Sequence, residues 1–393
     1  MSRTKRVMQR AMPWILSLCL MALSGCTAQA DAGNVTLLRT PDGGIQPQAE
    51  VDAKGVLHLI YYKGEPMAGD IFYVRRAAGE ATFTEPVRVN SHPGSAIAMG
   101  TIRGAQLAIG QNGRVHVAWN GSNKAPKGPG GNPMLYARLN DAGTAFEPQR
   151  NLITWAGGID GGGTLAAAAE GRVYVFWHAM ADAKDEAGRA VFMARSTDEG
   201  KTFAREVQAN PQPTGACNCC GMKAFIDSKG VLYVFYRSAS ENVNRDTILL
   251  VSRDNGTKFE SSTLARWKLD ACPMTTYAWT QGAPSAPVVG AWKNKELIYF
   301  AALTDGASKP APPLSPPGVG DNRKYPVVTA NADGAVLLSW TEGTAWGKGG
   351  SLHWQLYDKT GQPLEKKGQA DGVPTWSLVT AVPQADGSFV LIY

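Results

Sequence analysis

The 393-residue sequence contains no amphipathic stretch long enough to compete as a helix. After residue 25 it holds no apolar run approaching the roughly 18 residues of a membrane span. It also lacks a basic cluster beyond Arg10. The formal charge of +6 is concentrated at the start: Arg3, Lys5, Arg6 and Arg10 fall in the first 25 residues, where no acid occurs, leaving about +2 on the remainder. A nearly neutral body offers little to a phosphate backbone, so no nucleic-acid partner is expected. The 44 Gly and 24 Pro make up about 17% of the chain, short of the roughly 25–30% typical of disordered low-complexity sequence. Collagen-like, coiled-coil and wholly disordered chains are excluded. With 44% hydrophobic residues, a folded, turn-rich protein is expected.

What is present begins with the amino terminus. The basic stretch is followed by an apolar run at 14–23, too short to span a bilayer as a helix. The run ends in LSGC at 23–26, which resembles the lipobox of bacterial lipoproteins. That resemblance implies a signal peptide over 1–25, acylation of Cys26, a short linker over 26–32 and a single folded domain over 33–393. The mature protein is then expected to be exported and lipid-anchored in the cell envelope, with Thr27 hinting at the outer membrane if the cell is Gram-negative.

One pattern recurs through the body. An apolar strand, a Gly turn and an alternating strand ending in an aromatic appear as GVLHLIY at 55–61, GRVHVAW at 113–119, GRVYVFW at 171–177 and GVLYVFY at 230–236. The first four glycines are 58, 58 and 59 residues apart, and looser copies run over 286–292, 334–340 and 387–393. Period-2 alternation rich in Val, Ile, Tyr and Trp indicates strands, and a further strand pair follows in most repeats. This predicts an all-β chain: a β-propeller of four-stranded antiparallel blades, seven favoured over six. The strand near 35–39 is expected to complete the seventh blade, and the fifth is the weakest because its outer strand falls in the Pro-rich stretch 309–317.

Between the third and fourth strands stand STDEGKTF at 196–203 and SRDNGTKF at 252–259, with a weaker LNDAGTAF at 139–146 and a decayed copy ending at Phe83. This S-x-D-x-G-x-x-[WF] Asp-box, in phase with the blades, makes the chain resemble the sialidase superfamily with its bacterial neuraminidase repeats. The resemblance implies Asp-boxes that act as folding turns on the face opposite the ligand site. It also implies three Arg clamping a carboxylate, a Tyr–Glu nucleophile pair and an Asp acid/base. The family's first Arg motif is matched only in part, by Arg39 and Pro41 of LRTP at 38–41.

Propeller geometry gathers the starts of innermost strands and the ends of second strands at one end of the axis. There Arg103, Arg237 and Arg323 are candidates for an anion clamp, with Gln48 and His178 also placed to bind substrate. Asp160, Tyr325 and Glu342 are the candidate catalytic groups. Trp119, Trp177 and Trp346 are expected nearby, in keeping with a glycan or other small polar ligand. No cofactor is implied.

Two cysteine stretches point to the same face: CNCCGM at 217–222, before the fourth innermost strand, and CPM at 272–274, before the fifth. In an exported chain Cys217, Cys219, Cys220 and Cys272 favour two disulfides. A soft-metal site, with thioethers from Met222 and Met274, is the alternative. Three functions remain open: an exo-acting glycosidase on sialic-acid-type or other acidic glycans, a non-catalytic glycan- or protein-binding propeller, or a metal or redox protein built on the cysteines. The sequence leaves the oligomeric state open.

Overall fold

A computed structural model describes residues 35–303 and 310–393. The expected signal, Cys26 and the whole linker over 26–32 lie outside these residues. Among the described residues there is no helix long and apolar enough to cross a membrane. The short 3-10 turns at Pro41–Gly43, Gln111–Gly113 and Glu186–Gly188 are the only helical elements there.

The strands form seven sheets arranged as a β-propeller. From the axis outward, the innermost strands are Ile45–Val51, Gln106–Ile109, Thr164–Ala167, Lys223–Ile226, Ala278–Thr280, Lys324–Ala330 and Thr380–Pro383, defining blades 1 to 7. Each is followed by an antiparallel second strand containing the repeated aromatic motif. The expected seven blades are therefore present.

Two blades differ from the four-stranded antiparallel pattern. Blade 5 has three strands, its fourth reduced to the isolated bridges Phe300–Leu314 and Leu303–Pro310, because prolines remove ladder donors there. Blade 7 is closed by Val35–Leu38, which pairs with Phe389–Ile392 in parallel. The direction has a topological cause. A strand leading into the innermost strand of blade 1 must run as an outermost strand does, and with no third strand between them it lies directly on the second.

Blades are held by their flat faces. The second strands Val115–Asn120, Val173–Ala179 and Leu232–Arg237 are buried at every position, so period-2 alternation here separates two interfaces rather than core from solvent. Each of the seven junctions contains its own apolar cluster. The junction between blades 7 and 1 packs Val382, Val390 and Ile392 against Leu57, Leu59 and Tyr61.

The Asp-boxes form the turns at the opposite end of the strands from the innermost-strand starts. Ser196 donates to Asp198 Oδ1 at 2.7 Å and accepts from Gly200 N at 2.9 Å, while Asp198 accepts from Thr202 N at 2.9 Å. Ser252, Asp254 and Gly256 repeat the arrangement. Each box ends in a Phe that reaches the preceding blade: Phe146 meets Tyr73, Phe203 meets Tyr136 and Phe259 meets Phe176, all edge-on. The local turn thus also fixes the distance between neighbouring sheets.

Gly200 and Gly230 both adopt positive φ, +73° and +80°, but only at Gly200 does a neighbour, the Tyr136 hydroxyl, occupy the space of a Cβ. Gly230→Ala should cost about 1–2 kcal/mol for the backbone alone. Gly200→Ala should cost about 1–3 kcal/mol more, for overpacking. Urea midpoints of the two variants check this ordering.

Candidate functional site

The innermost strands enclose a central channel with a cavity of about 500 Å³. At its mouth the backbone is unusual. Gln46, Thr101, Tyr325 and Trp376 all have φ between +51° and +62°, and strand register slips beside Gln46 and again beside Tyr325. Left-handed backbone at non-glycine residues is strained, and such strain gathers at ligand sites. Gln46 helps hold the rim, donating to Ala98 O at 2.7 Å and Trp376 O at 2.8 Å. Ile102, Tyr325 and Leu378 pack together as an apolar cluster in the mouth. Tyr325 is buried there, and burial pushes its phenol up to about 12.

Beside this cluster lies the most accessible group of predicted residues. Arg103 donates to Asp160 Oδ1 at 2.6 Å and Asp160 O at 2.7 Å, an ion pair 20% and 41% exposed on its two sides. Asn120 donates to the carbonyl of Gly161 and accepts from Gly163 N, fixing the loop that carries Asp160. Trp346 is 58% exposed and stands edge-on to Trp376, ring centres 4.8 Å apart. Gly100 lies between the two groups: a Cβ there would collide with Arg103 and touch Trp346.

The other predicted binding arginines are occupied by the protein. Arg237 is fully buried, donates to Arg245 O at 2.6 Å and Lys293 O at 2.8 Å, and stacks over Trp267 and Tyr277. Arg323 is buried against Trp340 and donates to Pro316 O, Pro317 O and Glu342. Glu342 also accepts from Trp340 Nε1 at 2.7 Å and Asp321 N at 3.0 Å. Burial works to raise its carboxyl, but these bonds and nearby positive charge outweigh it and hold the group below its ordinary range. Asp160, Tyr325 and Glu342 thus have separate partners and share no hydrogen bond among the described residues. Arg39 packs over the Tyr393 ring and donates to Gly372 O and Asp371 O. Trp119 and Trp177 are buried in their second strands rather than in loops, because their indoles fill blade junctions. His178 is buried with Nε2 3.4 Å from Cys220 O, and burial pulls it down to about 4, so it is neutral near pH 7.

Deeper in the channel a polar group was only partly legible. Gln48 lines the wall, and Lys223 donates to Gln106 at 3.1 Å. Glu50, two residues beyond Gln48 and so on the same strand face, completes the set and accepts from Ile109 N. The alternation of strand 45–51 was the available signal. Burial pushes the Glu50 carboxyl up to about 7, with Lys223 and the Ile109 amide opposing.

The cysteines do converge. Cys217 Sγ lies 3.3 Å from Cys219 Sγ and 3.7 Å from Cys220 Sγ, and Cys272, from the next blade's loop, interacts with Cys219. All four are free thiols in this structure, Cys272 exposed and Cys217 and Cys220 buried. Burial works to raise Cys220, but the neighbouring thiols and Arg237 outweigh it and hold it well below its ordinary value; its bond with Cys219 brings Cys272 to about 7. Met222 packs into the apolar junction of blades 3 and 4.

No family model matches the sequence, and no curated protein does. Solved structures do. A protein of unknown function from Dyadobacter fermentans is 18% identical, covering 81% of this chain and 95% of its own, with a TM-score of 0.53. The Hadza microbial sialidase Hz136 is 13% identical over 81% of this chain and 66% of its own, at 0.54. An α-L-arabinanase of Penicillium chrysogenum is 15% identical over 84% of this chain and 98% of its own, also at 0.54.

The fold is that of the sialidase-like propellers. The architecture implied by the Asp-boxes is therefore borne out, at the level of fold.

Glu50 gives this sialidase-like propeller a signed pH dependence. A carboxyl whose folded value, about 7, exceeds its ordinary 4.5 binds more protons folded than unfolded between those limits. Its contribution to stability therefore falls as pH rises through that window. Glu50→Gln should gain on the parent by about 1–2 kcal/mol between pH 5 and pH 8, less than the full ~1.4 kcal/mol per unit because the residue is only half-buried on the channel wall. Urea midpoints at the two pH values test the sign.

Proposed function

We propose that the protein is a glycan-recognising propeller of the bacterial cell envelope, and that sugars bind at the channel mouth beside Trp346. One observation carries this reading: an exposed tryptophan braced edge-on by a second stands next to a half-open Arg–Asp pair. An indole face suits the apolar face of a pyranose, and the pair offers donors and acceptors for its hydroxyls. Binding is favoured over turnover because Arg237 and Arg323 are buried and, with Glu342, committed to internal bonds. Arg103, bonded to Asp160 and Met99 O, is the one of the predicted three arginines that keeps partial exposure at the mouth.

A second reading, exo-acting glycoside hydrolysis, draws on Asp160, a partly exposed carboxylate at the mouth. The fold's sialidase and arabinanase neighbours lend it support. The lipobox at 23–26 supports an envelope location.

A glycan array read for both retention and released sugar tests the site. The purified protein should retain a defined glycan subset, and Trp346→Ala and Arg103→Ala should each weaken retention about tenfold or more. Retention of nothing, or equal retention by Trp346→Ala, sinks the binding site. Sugar release that disappears in Asp160→Asn would install the hydrolytic reading instead. Location is checked separately: fatty-acid labelling in cells should be lost in Cys26→Ser.

A further inference from the structure

We propose that Cys217, Cys219, Cys220 and Cys272 form a thiolate site for Cu(I), built into the mouth of blades 4 and 5. Four features of the structure converge on it, and none depends on the glycan reading.

First, the donors are assembled. The Sγ atoms of Cys217, Cys219 and Cys220 all lie within 4.8 Å of one another. Their separations of 3.3 and 3.7 Å suit three sulfurs arranged about one small ion. The loop that carries them is anchored from outside itself: Cys217 N donates to Arg237 O and Asn218 N donates to Glu186.

Second, the surroundings carry buried positive charge that carboxylates compensate only in part. Arg237 is 1% exposed, its described hydrogen bonds go to carbonyls, and it lies against Cys220. Arg245 and Arg189 are also buried and act electrostatically on Cys217; Arg245 is ion-paired with Glu186, and Arg189 is acted on by Asp160 and Glu186 without an ion pair to either among the described residues. The Nε atoms of all three arginines lack partners among the described residues. A buried guanidinium without a counter-charge is costly, so this shell calls for an anion between its members. Thiolates on a metal supply one. A single Cu(I) ion held by the three inner sulfurs as thiolates, with any protons on them released, carries a net charge of −2. The arginine shell is suited to hold that charge.

Third, the donor set selects the metal. It consists of sulfur alone, which admits thiophilic ions such as Cu(I) and Zn(II) and excludes hard cations. Three of the four donors come from one four-residue stretch with spacing C-x-C-C. Structural zinc sites usually set two to four residues between paired donors, as between Cys217 and Cys220, but adjacent Cys219 and Cys220 depart from that pattern, which favours Cu(I).

Fourth, the site has a way in. The fourth thiol belongs to the following blade, and Cys272 is exposed whereas Cys217 and Cys220 are buried. An exposed fourth ligand can exchange with an incoming copper donor while the inner three hold the ion. That geometry suits acquisition and transfer more than a permanently closed structural site.

The test uses the full chain, reduced and reconstituted without oxygen, with Cu(I) in one arm and Zn(II) in the other. Each arm is competed against a chelator specific for that metal. The expected result is one Cu(I) per chain, with a thiolate-to-copper absorption band and protection of at least three thiols from alkylation. Losing outer-shell groups alone costs about 10–100-fold in metal affinity, so Cys219→Ser should weaken Cu(I) binding by at least about 100-fold. Cys272→Ser should keep the ion but release it faster to the chelator. Thermal midpoints within a few degrees of the parent separate ligand loss from misfolding. If a serine variant does not fold, thiol protection by Cu(I) in the parent decides the matter. Three results overturn the proposal: no copper held against the chelator, Zn(II) held in preference to Cu(I), or two disulfides in the isolated protein with no Cu(I) uptake after reduction. Each leaves the sugar site at Trp346 unaffected, so the two ideas fail separately.

Discussion

A small sheet of three or four strands with apolar residues on both faces has no stable existence alone, and this chain meets that constraint by stacking seven such sheets in a closed ring. Every junction is an apolar cluster shared by two blades, so each blade is stabilised only while both neighbours are in place. Closure falls to Val35–Leu38 on Phe389–Ile392, the contact joining the two ends of the domain. The parallel pairing there is the form ring closure takes when the last blade lacks a third strand.

Closure also accounts for the two kinds of chemistry at the mouth. A ring of tightly stacked sheets leaves its interior positions to whatever the innermost strands bring together, and seven starts of strand converge on one opening. Backbone strain collects there, at Gln46, Thr101, Tyr325 and Trp376, because the chain must turn from a loop into a strand while avoiding its neighbours around the axis. The Arg103–Asp160 pair with its tryptophans lies on one sector and the thiols with their arginines on another. Both depend on side chains contributed by different blades.

The same convergence explains why charge at the mouth is so unevenly available. Arg237 ends a strand and Arg323 and Arg103 stand in the loops that lead into one, yet stacking buries the first two among carbonyls and aromatic rings and leaves the third partly exposed. A guanidinium buried with all its exposure lost to internal bonds is not free to clamp a ligand. Whether a mouth arginine serves the fold or the ligand is thus decided by its depth in the blade junction.

Strand period, blade number and the Asp-boxes could be read directly, since each rests on interactions within a few residues: alternation along one strand, or Ser196 bonding Asp198 and Gly200 in a single turn. The meeting of the cysteines was also legible, because blade order places the starts of innermost strands 4 and 5 side by side. Tertiary packing alone decided which residues are free. Arg237 is claimed by Lys293 O, 56 positions away, and Trp119 is drawn from the mouth into a junction. Glu50 and Lys223, both on the channel wall, act on each other electrostatically. Such distances are set by how sheets stack, and no short stretch of chain encodes them.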